Sequence, residues 1–318
     1  MIDFTKPMKF DIYFAGSSYN SVMEKGIEIG VCKLFTQLTE RKEINRWASL
    51  KKEGKFKGKL FVDSGAFTAH TKGAELDVDE YIEYINQLGE GITLAAQVDH
   101  IPGKFGIPRT KEQILEAPKK SWENYLYMRD RVKYPNKLLP VFHQDEDFKW
   151  LKTMLDFRDP DNKPLDYICI SSSKDKHTKL REDWYKRVFS IIHNSSNPDI
   201  KTHSLGTSSI KHLEKYPFTS SDATSWIRVA AQGQIYTEKG TLLVSKETIQ
   251  NKAKTNNAFL IPEQKKFLEE YIPQFGLTCE QIQESSEYRQ MFNMLYYVHW
   301  AQSYEYKGPK VYAKTGLF

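Results

Sequence analysis

Cysteine is scarce in this chain, and long apolar runs are missing from it. Its 318 residues include three cysteines, which form no Cys-x-x-Cys pair, so the sequence predicts neither a disulfide framework nor a zinc ribbon. Cys169 stands within an apolar run and is expected to be a core residue. No run approaches the roughly 20 apolar residues of a spanning helix, and the N-terminus lacks a secretory-signal pattern. We therefore expect a cytoplasmic protein without membrane association.

Neither sign of charge dominates. The 46 Lys and Arg against 41 Asp and Glu give a net charge of +5, which is compatible with a polyanionic partner but does not require one. With 40% hydrophobic residues the chain is neither disordered nor collagen-like. No Gly-x-Gly-x-x-Gly follows the first apolar run, which counts against a dinucleotide-binding fold, and neither His-x-His nor His-Glu-x-x-His occurs.

Short apolar runs alternate with longer segments of helical periodicity. Runs of this length and composition predict strands. The predicted strands are Phe10–Ala15, Lys59–Val62, Thr93–Val98, Lys137–Phe142, Leu165–Ile170, Ile200–Leu205, Phe218–Ser221 and, as a weaker pattern, Ile227–Ala231. The intervening helices are predicted over Val78–Leu88, Lys111–Lys133, Phe148–Phe157 and Arg181–His193. About eight strand–helix units in a chain of this size predict an α/β fold, a (β/α)8 TIM barrel, with an open doubly wound sheet as the alternative.

The pattern changes after about Val244. Helices are predicted over Pro262–Phe275 and Cys279–Ser303, followed by a tail in which lysines alternate with tyrosines. We expect residues 1–244 to form the barrel domain and residues 245–318 to form a helical extension packed on it. Lysines neutralise phosphates and tyrosines stack on bases. The tail therefore offers Lys307, Lys310 and Lys314 as nucleic-acid contacts, although its length and spacing favour a solvated tail that packs a few rings.

Polar residues concentrate where the predicted strands stop. In a TIM barrel, reactive groups gather at these carboxyl ends. The residues there include Asp63, Ser64, Gly65, Phe67, Asp99, His100, His143, Gln144, His203, Leu205, Gly206 and Asp222. Two carboxylates facing each other across a barrel suit displacement at an anomeric sugar carbon, one attacking and one handling the proton. The same Asp and His residues are acceptable ligands for a divalent metal, so a metal-dependent barrel hydrolase is an alternative.

At these residues the chain resembles the guanine transglycosylase superfamily, the queuine tRNA-ribosyltransferase-like enzymes that exchange a guanine in nucleic acid for a 7-deazaguanine. The resemblance covers roughly residues 9–235. The segment Asp63–Phe67 matches the family's Asp-Ser-Gly-Gly-aromatic motif. The order of that motif with Tyr216-Pro217 and the segment Asp222–Trp226 is similar to the phage-type branch, which acts on DNA.

The resemblance implies a role for each matching residue. Asp222 would be the nucleophile at C1′, and Asp63 would be the general acid and base. Asp99 would accept hydrogen bonds from the donor edge of the base, with Phe67 stacked beneath it. Backbone groups at Leu205 and Gly206 would contact the heterocycle, and the small Ser64 and Gly65 would let it approach, with His100 beside Asp99. Trp226 is expected to be a core anchor.

The chain also departs from the family pattern. The tRNA enzymes carry a zinc motif after the barrel, and this chain has none, so we expect no zinc subdomain, no bound metal and no cofactor. His143-Gln144 replaces their Gln-Gly-Gly, and either side chain is a candidate to face the base. The implied partners are DNA, with tRNA as the alternative, and a small 7-deazaguanine such as preQ0. Oligomeric state is left open.

Overall fold

The computed structural model describes residues 1–144, 146–173, 178–247 and 256–309. Its helices are α1 Asn20–Ile29, α2 Gln37–Lys52, α3 Ala66–Lys72, α4 Val78–Leu88, α5 Lys111–Arg129, α6 Phe148–Asp156, α7 Thr178–His193, α8 Ile210–Lys215, α9 Ser225–Ala231, α10 Pro262–Tyr271, α11 Cys279–Glu284 and α12 Ser286–Ser303. Its strands are β1 Asp11–Ala15, β2 Cys32–Thr36, β3 Leu60–Asp63, β4 Leu94–Ala96, β5 Leu138–Leu139, β6 Val141–His143, β7 Tyr167–Ser171, β8 Lys201–Leu205, β9 Ser220–Ala223, β10 Gln234–Thr237 and β11 Gly240–Leu243.

The fold is α/β and TIM-barrel-like, as the alternation of strands and helices predicts. Nine strands form one sheet in the order β5-β4-β3-β2-β1-β9-β8-β7-β6, and β10 and β11 form an antiparallel pair. Parallel pairing runs from β2 through β5 and from β6 through β9. Within the described residues, no helix is both long enough and apolar enough to cross a membrane.

Two strand predictions need correction, and a third strand is not predicted at all. The segment Ile227–Ala231 lies in helix α9, where Trp226 and Ala230 face the core, so its Ile and Val residues belong to a helical pattern. Strand β2 was not predicted because Lys33 interrupts its apolar run, yet Lys33 is only 1% exposed. The single strand predicted over Lys137–Phe142 is divided at Pro140 into β5 and β6, since proline has no N–H to donate to a ladder.

The helix predictions hold, with local changes at their ends. Helix α4 has the predicted bounds because Asp77 caps it, accepting from the N–H groups of Asp79 and Glu80, while its apolar stripe is buried. The long helix predicted over Cys279–Ser303 is two helices. Its break is at Ser285, which adopts an extended conformation and caps α12.

Clustering of the chain gives two compact units. One combines residues 1–32 with residues 223–304, and the other contains residues 33–222 and the stretch that begins at Glu305. The first unit has an apolar core that includes Ile235, Leu268, Phe275 and Phe292. The assignment of residues 1–244 and 245–318 to two domains stays a prediction.

Buried polar groups tie the segments of the first unit together. The Trp226 indole N–H donates to the carbonyl of Ala15 at 3.1 Å, so Trp226 is the core anchor that the sequence predicts. The guanidinium of Arg289, only 4% exposed, donates to the carbonyls of Ala230 and Ile282 at 2.9 Å each. Such buried donors are expensive to leave unpaired, so they fix the position of α12 in this unit.

Candidate active site

The second unit carries the candidate site at the carboxyl ends of its parallel strands. Asp63 ends β3, Asp99 follows β4, His143 ends β6, and Asp222 is the last residue but one of β9. Every site residue predicted between Asp63 and Asp222 falls within residues 33–222. Parallel strands place these ends at one edge of the sheet, which is where the sequence pattern predicts reactive groups.

A tight turn after β3 holds the carboxyl group of Asp63. Its Oδ2 accepts the N–H of Gly65 at 3.0 Å. Gly65 has a φ of +80°, and a Cβ there would lie 2.8 Å from both Leu38 Cβ and Thr36 Oγ1. Only glycine fits this position on both counts. Neighbouring Ser64 is buried, and its carbonyl accepts from Gln37 Nε2 at 3.1 Å.

Asp222 and Asp99 act electrostatically on Asp63. Burial raises the pKa of Asp63 to about 6, against the Gly65 hydrogen bond that lowers it, and the charges of Asp222 and Asp99 raise it further. The pKa of the fully buried Cys169 thiol is likewise raised, first by burial and then by the charges of all three aspartates. Asp63, Asp99 and Asp222 therefore share one region of negative potential, with Asp63 poised between its charged and neutral forms near neutral pH.

Asp222 is held through one of its two carboxylate oxygens. The Gly206 N–H donates to Oδ1 at 2.8 Å, and His203 Nε2 contacts the same oxygen at 3.2 Å. Among the described residues, Oδ2 has no hydrogen bond. One oxygen is therefore fixed by two groups, and the other is left to react.

A relay of hydrogen bonds continues from Nδ1, the other ring nitrogen of His203. His203 is fully buried, and its Nδ1 lies 2.5 Å from Ser220 Oγ, which lies 2.5 Å from the hydroxyl of Tyr167. One assignment satisfies all three contacts: Tyr167 donates to Ser220, Ser220 donates to Nδ1, and the Nε2–H of His203 donates to Asp222. This relay aligns the carboxylate of Asp222.

Asp99 is clamped from two sides. Gln97 Nε2 donates to Oδ1 at 2.6 Å, and His143 Nε2 contacts Oδ2 at 3.1 Å. Gln97 is only 1% exposed, and its Oε1 has no partner within the part of the chain that the structure describes. A buried amide oxygen of this kind normally has a donor, so it is available to a ligand bound next to Asp99.

His143 and Glu146 extend this cluster. Burial opposes the imidazolium, but the charge and hydrogen bond of Asp99 outweigh it and raise the pKa of His143 to about 9. Burial raises the pKa of Glu146 to about 7, although the charge of His143 lowers it. The charge of Arg109 lowers the pKa of both groups, so Arg109 also lies near the site.

The remaining predicted residues are placed as follows. Phe67, which the resemblance places beneath the base, is 67% exposed, and its ring meets Phe105 edge-on. Gln144 Oε1 accepts from the backbone N–H of Ser173 at 2.9 Å, so of the pair His143-Gln144 it is His143 that meets Asp99. The His100 N–H donates to Ser121 Oγ at 2.9 Å. Leu205 pairs with Ser171 at the end of β8. The resemblance assigns backbone groups around Gly206 to the base, whereas the Gly206 N–H is donated to Asp222.

The tail is only partly described. Lys307 forms an ion pair with Glu214 at 2.9 Å, and its N–H donates to the Glu214 carbonyl. Lys310 and Lys314 lie outside the described residues. Their proposed contacts with nucleic acid stay a prediction.

The metal-site alternative has no structural counterpart among the described residues. Across the ranges that the structure describes, no group of three or more His, Cys, Asp or Glu side chains is arranged to hold a metal ion. Gln97 and Ser220 stand at strand ends in the sequence but were given no role, and Tyr167 and Glu146 were missed as members of the site. Gln97 was detectable, because residues two apart in extended chain share a face and Asp99 was already singled out.

Neither a protein family nor a curated protein matches this chain. We therefore infer activity from the geometry above and from the motif resemblance alone.

Proposed function

We propose that the chain is a guanine transglycosylase that acts on DNA, replacing guanine with a 7-deazaguanine through a covalent aspartyl intermediate. The observation that carries the proposal is the pairing of Asp222, with one oxygen fixed and one available, with Asp63, whose pKa is raised to about 6 by burial and by the charges of Asp222 and Asp99. A nucleophile and a separate proton donor are what exchange at an anomeric carbon requires.

The first half of the exchange breaks the C1′–N9 bond. Asp222 Oδ2 attacks C1′, the bonding pair leaves with guanine, and neutral Asp63 donates its proton to the departing ring. Positive charge develops on the sugar, and the negative charges of Asp222 and Asp99 stabilise it. His203 and Gly206 hold Oδ1, so the attacking oxygen needs little reorientation.

The second half reverses these steps with a different base. Asp63, now charged, takes the N–H proton of the incoming 7-deazaguanine, whose nitrogen attacks C1′. The ester bond to Asp222 breaks, and its electron pair returns to the carboxylate. Asp63 ends neutral and Asp222 ends charged, so the enzyme is unchanged after one exchange.

We assign base recognition to Asp99 together with Gln97 and His143, which contact its two carboxylate oxygens. A carboxylate accepts from two parallel donors, which matches the N1–H and exocyclic amine of guanine. The free Oε1 of Gln97 adds an acceptor beside it. Protonated His143, with a pKa of about 9, supplies a donor suited to the O6 of the base. Because the target bond is buried in duplex stacking, guanine must be extruded or met in a single strand.

Labelled guanine tests the proposal. The protein is incubated with labelled guanine and either duplex DNA or tRNA, and label is counted in each polymer. Incorporation into DNA supports the proposal. Incorporation into tRNA alone assigns the same chemistry to tRNA, and no incorporation into either overturns the proposal.

Adduct trapping tests the nucleophile. Wild-type protein should form a denaturant-resistant adduct with a guanine oligonucleotide when no incoming base is added. Asp222→Asn should abolish the adduct, whereas the exposed control Asp199→Asn should retain it. An adduct of normal yield in Asp222→Asn would show that another residue attacks C1′.

A further inference from the structure

An exposed apolar tip follows strand β4. The chain leaves the site at Asp99 and returns at Thr110, which caps helix α5. Between them Phe105 is 59% exposed and Ile107 is 61% exposed, and Phe67 of α3 is 67% exposed. Exposed apolar side chains that touch one another on a soluble protein typically mark an interaction surface.

The tip has a defined conformation. The Lys104 carbonyl accepts the Ile107 N–H at 3.1 Å, and Gly106, at the third position of this turn, has a φ of +79°. These are the features of a type II turn, which needs glycine there. Phe105 occupies the second position and projects at the tip of the turn.

Phe105 is braced against helix α3. Its ring meets Phe67 edge-on with centroids 6.3 Å apart and meets His70 at 6.2 Å. Phe67 lies four residues after Asp63, and the turn lies a few residues after Asp99. The apolar tip is therefore attached to the same two strand ends that carry these carboxylates.

The segment that carries the tip is basic. The segment from His100 to Lys111 contains Lys104, Arg109 and Lys111 and no acidic residue. Arg109 acts electrostatically on His143 and Glu146. A basic surface with exposed aromatic rings complements a polyanion that also has flat apolar faces, which is the composition of a nucleic acid.

We infer that the tip formed by Phe67, Phe105 and Ile107 inserts into DNA next to the target guanine, with Lys104 and Arg109 on the flanking phosphates. This inference depends on the proposed function, because it assumes that a guanine must leave the stack to reach Asp222. Phe105 takes the place of the extruded base and stacks on its former neighbours, as apolar wedges do in other bent or opened duplexes.

The test uses a duplex oligonucleotide that carries 2-aminopurine beside one guanine. Wild-type protein should increase the 2-aminopurine fluorescence, since unstacking relieves its quenching. Phe105→Ala should remove most of that increase and weaken binding roughly 5- to 150-fold, the effect of losing one base–aromatic stack. Phe105→Trp should preserve both signals, and Leu260→Ala, at an apolar side chain of similar exposure (53%), should leave both unchanged.

Salt dependence tests the flanking charges. Lys104→Gln should reduce the slope of log affinity against log salt by about 1, the value for one lost phosphate contact. An unchanged slope would remove Lys104 from the interface.

The outcomes separate the inference from the proposed function. If Phe105→Ala matches wild type in affinity and fluorescence while label still enters DNA, the insertion is wrong and the exchange reaction stands. If the signals depend on Phe105 but no label enters either polymer, the DNA contact stands and the exchange reaction fails. If the protein self-associates in sedimentation and Phe105→Ala abolishes this without changing DNA binding, the tip is an interface between copies and the inference is overturned.

Discussion

Replacing Asp63 with asparagine should stabilise the protein and should do so more strongly as pH rises. The pKa of Asp63 is about 6 in the folded chain against an ordinary 3.8, chiefly because of burial. The unfolded chain therefore loses the proton first as pH rises, and the folded state becomes progressively less stable between pH 4 and pH 6. Asparagine carries no charge, and its side-chain oxygen still accepts the Gly65 N–H.

The magnitude follows from the pKa difference. A shift of about two units is worth about 3 kcal/mol at about 1.4 kcal/mol per unit. Asp63 is only partly buried, so water screens part of this cost. We expect Asp63→Asn to exceed wild type by about 1 to 3 kcal/mol above pH 7.

Urea unfolding at several pH values between 4 and 7.5 measures this difference. The gap between Asp63→Asn and wild type should be smallest near pH 4 and largest above pH 6. The exposed control Asp199→Asn should show no such rise. A constant gap across this range would refute the assignment of a raised pKa to Asp63. Guanine exchange should slow in the same variant, because asparagine cannot transfer the proton.

Two further perturbations probe the local geometry of the site. Gly65→Ala should lower the free energy of unfolding by about 2 to 5 kcal/mol, since it combines left-handed backbone strain with overpacking. The control Gly54→Ala isolates the strain, because Gly54 has a similar φ of +72° with open space around it. Equal losses in the two variants would contradict the packing argument. His143→Gln should lower stability below pH 6.5 by about 1 to 3 kcal/mol, and this difference should disappear as pH passes 9. The reason is that the pKa of His143 is raised, so its ion pair with Asp99 is present at low pH and lost at high pH. A pH-independent difference in urea unfolding would show that the ion pair contributes nothing.

The sequence predicts the architecture better than it predicts the site. Strand–helix alternation gives the fold class, and the polar residues at strand ends lead directly to Asp63, Asp99 and Asp222. The local sequence pattern does not predict a residue's burial where tertiary packing determines it. Lys33 is buried in β2 although lysine is seldom a strand-core residue.

The contacts within the site depend on information that the sequence does not contain. Composition alone cannot show that His143, rather than Gln144, meets Asp99, since both follow the same strand run. The relay from Asp222 through His203 to Ser220 and Tyr167 joins β7, β8 and β9 through their register. That register is set by packing across the sheet rather than by any one segment.

The first compact unit joins the beginning of the chain to residues 223–304. On the ribosome, strand β1 and helix α1 are made before residues 33–222. The rest of their unit, which includes Trp226 and Arg289, is made only after those residues. Residues 1–32 can therefore complete the core of their unit only after residues 223–304 have been made. Long-range closure of this kind slows folding. It exposes the nascent chain to aggregation and gives chaperones a natural point of engagement.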